Sequence, residues 1–271
     1  MIPLYDSIPS RTTPLVNYAM IGVCSLVFFA QLADESEGTA PLVERLGMIP
    51  ARVLNPEEPI QRLERIAVVN RFGQIVEVVN RPRQLASPPF NPWWTLLTCT
   101  FLHGGWMHFL SNMWFLFIFG DNVEDRLGHV GYLLFYLFSG VAASAAHLAS
   151  DPSSQIPTIG ASGAIASVMG AYLLLYPRAT VVSLIPIVFI LQVVVLPAPV
   201  FLGVWFVLQF FQGLGAVGSL QTSGVAWWAH IGGFVFGFLI AAGLCTVGET
   251  RPPVQARRPR SQQMTAYRYR R

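Results

Sequence analysis

The sequence has no lysine; its seventeen basic residues are all arginine. Charge of either sign is scarce. Only 11% of the 271 residues are charged, less than half the share usual in soluble domains. That deficit excludes an ordinary water-facing globule. Cysteine is scarce as well. Cys24, Cys99 and Cys245 form an odd set with no paired spacing, which excludes a disulfide framework. In apolar runs such thiols pack as small hydrophobes. No His-Glu-x-x-His is present, and His103 and His108 lie five apart, a spacing that does not put both on one helical face. No metal is therefore expected.

What is present is apolar. Hydrophobic residues make up 53% of the chain and the mean hydropathy is +0.51. Several runs carry almost no charge over the length that crosses ~30 Å of hydrocarbon. In lipid the backbone must satisfy its own hydrogen bonds, so these runs should be helices. The expected fold class is an all-α membrane protein, a bundle of transmembrane helices.

Residues 1–13 read as a short polar tail and Pro14–Leu32 as the first span. This run is long for a signal peptide and lacks a small-residue cleavage site, so it is taken as uncleaved. A long loop occupies residues 33–92. Within it, β-branched runs flank Asn70-Arg71-Phe72-Gly73, which predicts a hairpin over Ile66–Val79. Pro92–Leu102 is aromatic and suits the membrane interface. Further spans are expected at Gly105–Phe119, Gly131–Ala149, Gly160–Tyr176, Val200–Leu214 and Ala226–Val247.

The apolar run Val181–Leu196, broken by Pro186, leaves the count at six or seven. Arginine decides between them. Loops Asp151–Ile159 and Gln212–Val225 contain none, whereas seven follow Cys245. Six spans put both termini in the cytoplasm and the Arg-free loops outside, as the positive-inside rule requires. Residues 14–248 are then one six-span membrane domain, 33–92 an extracytoplasmic loop, and 179–197 an interfacial or re-entrant connection. The Arg-rich tail, residues 249–271, is expected to be disordered and to mark the cytoplasmic side rather than to bind nucleic acid.

Polar residues inside spans are costly and become functional candidates by default. Ser162 opens the fourth span between Gly160 and Gly163. Most serines in membrane helices bond the backbone one turn back. Here glycines and the free N–H groups of a helix N-terminus surround it, a setting that favours a developing oxyanion. His230 opens the last span. Ala229, Gly233 and Gly237 repeat at four-residue spacing, as do Ser162, Ala166 and Gly170. Two such small-residue faces pack closely, which would bring Ser162 to His230. In the six-span topology both residues lie at one depth. His108 and Asn112 share a helix face near the same end of span two, where an imidazole and an amide suit oxyanion stabilisation; interhelical hydrogen bonding is their plainer reading. His147 lies near the end of span three. No Asp or Glu falls within spans two, four or six, so the residues point to a Ser–His pair without a carboxylate.

His103-Gly-Gly-Trp-Met-His108-Phe-Leu-Ser-Asn112, Gly160-Ala-Ser162-Gly163 and Ala229-His230-Ile-Gly-Gly233-Phe-Val-Phe-Gly237 occur in that order on spans two, four and six. Together they resemble the rhomboid proteases. Glu124-Asp-Arg126-Leu-Gly128 looks like that family's loop after span two, and the resemblance covers about Trp93–Val247. It implies a rhomboid-like six-transmembrane bundle, a serine endopeptidase with Ser162 as nucleophile and His230 as base, and an oxyanion held by His108, Asn112 and the Ser162 N–H beside Gly160. It implies single-span membrane proteins as substrates, no cofactor, and a bacterial plasma (inner) membrane, since no transit peptide is evident. Two departures stand out: Thr95 follows Trp94 where the family often has Arg, and Ala166 replaces an aromatic residue that some members place against the histidine. An inactive member that binds membrane clients would be expected to lack Ser162 or His230. A small transporter would explain the polar residues but not the glycine-flanked serine.

Overall fold

The computed structural model describes residues 1–36, 42–69, 75–187, 190–216, 225–248 and 250–252. Most of them are helical, but the expected all-α class needs correction: five strands, β1 (Ile2–Asp6), β2 (Gln61–Val69), β3 (Ile75–Gln84), β4 (Thr180–Ile187) and β5 (Ile190–Pro197), accompany the helices. The long helices are α1 (Leu15–Ser36), α5 (Trp106–Ser150), α6 (Ser162–Leu175), α7 (Ala198–Ala216) and α8 (Trp227–Thr246). Short helices α2 (Leu42–Leu46), α3 (Pro50–Leu54) and α4 (Thr95–Thr98) lie in the segment between α1 and α5. Among the described residues four helices, α1, α5, α7 and α8, are long and apolar enough to cross a membrane. α6 has only 14 residues.

α5 is two helices joined at Gly128, whose φ of 72° and ψ of 166° interrupt the helical path. A positive φ of this kind is open to glycine and strained for other residues. α6 is apolar on every side and correspondingly buried: Gly163–Tyr172 are all shielded. Around it stand α5, α8 and α7.

At one end of the bundle the charges are concentrated. Glu124, 1% exposed, accepts hydrogen bonds from the backbone N–H groups of Val16 (3.0 Å) and Asn17 (2.7 Å) at the start of α1. These amides have no partner within their own helix, and the carboxylate complements the helix dipole. Asn17 then donates to the Leu116 carbonyl (3.0 Å) and accepts from the Tyr132 hydroxyl (2.8 Å), tying α1 to both halves of α5. Arg126 donates to the Leu175 carbonyl (3.2 Å) at the end of α6 and to Thr250 Oγ1 (3.1 Å).

The apolar run Val181–Leu196 is no helix. It forms β4 and β5, paired antiparallel from Thr180↔Pro197 to Ile187↔Ile190. β1 adds to the free edge of β4, with Asp6 opposite Val181 and Ile2 opposite Leu184. Residues 1–13 thus include a strand of a three-stranded sheet, in the order β1-β4-β5. β2 and β3 form a separate antiparallel pair, so the hairpin expected over Ile66–Val79 is present and longer than its sequence pattern, Gln61–Gln84. Its tip, residues 70–74, lies outside the described residues, as does the tail from residue 253 on whose disorder was expected.

The segment between α1 and α5 is anchored by two buried charges. Arg52, 4% exposed, donates to the carbonyls of Glu44, Gly47 and Ala86 at 2.8, 2.9 and 3.0 Å. Glu44 pairs with Arg83 and accepts from the Ala86 N–H (3.1 Å). Met48 and Thr158 exchange backbone hydrogen bonds (3.0 and 2.7 Å), which fastens this segment to the chain just before α6.

Asp6 carries a testable consequence. Its carboxylate accepts from Asn122 Nδ2 (2.8 Å) and from the Tyr172 hydroxyl, and burial pushes its pKa up to about 6. A carboxyl raised above its ordinary value of 3.8 makes the folded state bind protons more tightly than the unfolded one. Its contribution is full below that ordinary value and is lost as the pH rises through about 6. Asp6→Asn removes the titration. The thermal midpoint of Asp6→Asn in detergent, relative to wild type, should rise between pH 5 and pH 7.5; a constant offset would contradict the account.

Candidate active site

The chain turns into α6 through Gly160, whose φ is 133°. Its N–H donates to the Cys99 carbonyl (2.9 Å), which fixes the turn against the segment before α5. A side chain here would also collide: a Cβ on Gly160 would lie 2.8 Å from His108 Nε2. The turn delivers Ser162 as the first residue of α6.

The depth at which α6 meets α8 is set by missing side chains. A Cβ on Gly170 would run into the Phe234 carbonyl, one on Gly233 into the Gly163 carbonyl, and one on Gly237 into the Ser167 backbone. Ser167 Oγ donates to the Gly233 carbonyl (2.6 Å). On α8 this face is the expected Gly233 and Gly237. On α6 it is Gly163, Ser167 and Gly170, with Gly163 also against Ala143 of α5. The expected row Ser162-Ala166-Gly170 is displaced by one residue at its first two positions. Glycine at 163 rather than serine at 162 meets the neighbouring backbones, and the hydroxyl of Ser162 faces a cavity instead.

That cavity has a volume of about 480 Å³ and is lined by His108, Asn112, Ser162, Met169, Trp205, Gln209 and His230 among others. His230 Nε2 lies 2.7 Å from Ser162 Oγ. His230 Nδ1 lies 2.7 Å from Gln209 Oε1 on α7. The indole of Trp205, one turn before Gln209, is tilted against the imidazole at 6.0 Å, and Trp227 meets it edge-on at 6.0 Å. Ala166 leaves no aromatic on α6 beside the histidine; α7 supplies one instead.

His108 Nδ1 accepts from the Gly104 N–H (3.2 Å). In a neutral imidazole the other nitrogen then carries the proton. His108 Nε2 is therefore a donor, and it points toward Gly160 and Ser162. Asn112 is 7% exposed, and its Nδ2 has no acceptor among the described residues. The structure thus brings Ser162, His230, His108 and Asn112 to one cavity, with Gly160 against His108 just outside its lining. His103 stays outside it: its backbone is clamped by both amide atoms of Gln31 (3.0 and 3.1 Å), and its ring packs edge-on against Phe28, His108 and Phe109. His147 does not line the cavity. Gln209 and Trp205 were not anticipated from the sequence. The available signal was weak: Gln209 and Gln212 interrupt an otherwise apolar run.

Helices of this length and apolarity, with charge gathered in connections and at the ends, define a multi-pass membrane protein. A rhomboid-domain family model matches residues 91–247, more than half of the chain. The chain belongs to the rhomboid family. Among curated relatives, it is 35% identical to the rhomboid protease GluP of Bacillus subtilis over 154 residues, 56% of this chain and 26% of that protein. It is 37% identical to the putative rhomboid protease YdcA of the same organism over 81 residues, 30% of this chain and 40% of that one. It is 42% identical to the chloroplastic Rhomboid-like protein 11 of Arabidopsis thaliana over 76 residues, 28% of this chain and 27% of that one. The matches span only about a quarter to two fifths of these relatives' lengths.

The close approach of α6 and α8 predicts a steep steric penalty. Gly237→Val should destabilise the protein by about 3 kcal/mol, the upper end for overpacking, read as a fall in thermal midpoint in detergent. Gly22, which has open space where a Cβ would stand, provides the control. Gly22→Val should leave the midpoint nearly unchanged, and equal effects at both positions would refute the packing account.

Proposed function

We propose that this protein is an intramembrane serine endopeptidase that cuts transmembrane proteins in or near their membrane span, with Ser162 as nucleophile and His230 as general base. The observation that carries the reading is the 2.7 Å contact between Ser162 Oγ and His230 Nε2 inside a cavity bounded by membrane helices. Family membership and relatives named as rhomboid proteases support it.

The chemistry follows from the atoms. Ser162 Oγ attacks the carbonyl carbon of the scissile peptide while its proton passes to His230 Nε2. The carbonyl oxygen becomes an oxyanion. The donors proposed to hold it are His108 Nε2–H, Asn112 Nδ2 and the Ser162 backbone N–H at the start of α6, beside Gly160. Asn112 supports this role best, because its amide is held buried at the cavity with no acceptor among the described residues. As the intermediate collapses, His230 returns the proton to the departing amine, leaving an acyl-enzyme. Water then attacks that ester carbonyl while His230 takes its proton, and His230 returns the proton to Ser162 Oγ as the ester bond breaks and the carboxylic acid product leaves.

The topology proposed for this activity has six crossings: α1, the two halves of α5, α6, α7 and α8. Residues 14–248 form this unit, with residues 1–13 and 249–271 in the cytoplasm of a bacterial cell. The β4–β5 hairpin supports a count that omits residues 179–197, since an open sheet leaves unpaired backbone groups that lipid cannot solvate. The substrates proposed are single-span membrane proteins, cut without metal or cofactor.

Labelling of the detergent-solubilised protein with a fluorophosphonate tests the nucleophile without a known substrate. Wild type should be labelled, and Ser162→Ala and His230→Ala should not. Labelling that persists in Ser162→Ala would move the nucleophile elsewhere. Cleavage of a single-span model substrate by wild type separates a protease from a client-binding protein, which would not cut it. In the same assay Asn112→Ala should lower kcat about 100-fold, the lower range for losing one oxyanion donor, with KM little changed; an unaltered kcat would remove Asn112 from the site.

A further inference from the structure

We infer that Gln209 is the positioning residue for His230, the neutral counterpart of the carboxylate that orients histidine in soluble serine hydrolases. The inference rests on the dyad proposed above. For His230 to accept the Ser162 proton, Nε2 must be unprotonated, so Nδ1 must carry the hydrogen. The only group placed to receive it among the described residues is Gln209 Oε1, 2.7 Å from Nδ1. The oxygen, not the amide nitrogen, faces the ring, as that tautomer requires.

The site is built around this contact. Gln209 is 8% exposed, whereas its neighbours Leu208 and Phe210 stand 52% and 39% exposed on the outside of α7. Trp205 and Gln209 are four apart and so share one face of α7. The first presents its ring to His230 and the second its carbonyl oxygen. Trp227 closes the imidazole edge-on. Two rings limit the tilt of the imidazole and one hydrogen bond fixes its rotation about Cβ–Cγ. Among the described residues no Asp or Glu lines this cavity. A carboxylate beside His230 would have to be held ionised in surroundings of low dielectric, a large desolvation penalty. An amide oxygen selects the same tautomer without that penalty.

Two substitutions give opposite expectations for a positioning role and for mere packing. Gln209→Met keeps the length and apolar fit but has no comparable acceptor. Gln209→Glu keeps an acceptor oxygen and adds charge. If Gln209 only fills space among apolar helices, Met should be harmless and Glu damaging. If it orients His230, Met should slow fluorophosphonate labelling and lower kcat on a single-span substrate 10- to 100-fold at unchanged KM. Glu should then restore labelling to well above the Met rate. The thermal midpoint of each variant monitors the fold. Labelling of Gln209→Met at the wild-type rate, or of Gln209→Glu no faster than Gln209→Met, would overturn the inference. Ser162→Ala run alongside separates the two levels: labelling that survives in Ser162→Ala defeats the dyad itself. Its loss there, with Gln209→Met unaffected, defeats only the role of Gln209.

Discussion

The approach of α6 to α8 governs everything at the site. Their backbones come close enough that Gly170, Gly233 and Gly237 have no room for a side chain. Lipid tails are as apolar as leucine, so the hydrophobic effect does little to hold two membrane helices together. Close van der Waals contact and the Ser167-to-Gly233 hydrogen bond must do so instead. Because Ser162 begins α6 and His230 sits in the first turn of α8, the depth of that contact sets the separation of their side chains. A bulkier interface would widen the pair beyond hydrogen-bond reach. The reactive geometry is thus a by-product of residues that carry no functional group.

The two ends of the bundle are built on different physics. At one, buried ions tie the helices together: Glu124 on the amides of α1, Asp125 on Arg11 and Thr12, Arg126 on the end of α6, with only Arg126 Nε among these groups left without an acceptor among the described residues. Burying a charge is tolerable when hydrogen bonds compensate most of its lost hydration. At the other end the polar atoms face a cavity, and one of them, Asn112 Nδ2, is left without an acceptor among the described residues. Ions bonded across several helices rigidify the bundle, whereas a donor left open at a cavity is available to a visitor. Arg52 and Glu44 extend the first style to the segment that braces the chain before α6.

Much of this was legible in the sequence, and the reason is the solvent. Inside a span a serine or histidine is expensive, so Ser162, His230, His108 and Asn112 stood out from their neighbours, and the structure gathers all four around one cavity. Glycine spacing was equally readable, although on α6 the contact face starts at Gly163 rather than Ser162. What escaped was governed by other rules. Val181–Leu196 is a run of β-branched residues without periodicity, which cannot be told from a buried helix by pattern alone; it became a hairpin. Gln209 carries no such signal, because the usual orienting partner of a catalytic histidine is an acid and a neutral amide in an apolar run does not look like one. β1 was unreadable because a strand of five residues is defined only by its partner.

That partner lies far along the chain. Ser7 and Thr180 exchange hydrogen bonds across 173 positions, and Pro3 accepts from the indole of Trp114. β1 therefore cannot complete its sheet until β4 has been made. At ordinary translation rates that is a wait on the order of ten seconds or more. Local helices form within microseconds by comparison. β1 is thus seated after α1, α5 and α6, the long helices made between it and β4, and serves as a late fastening on them.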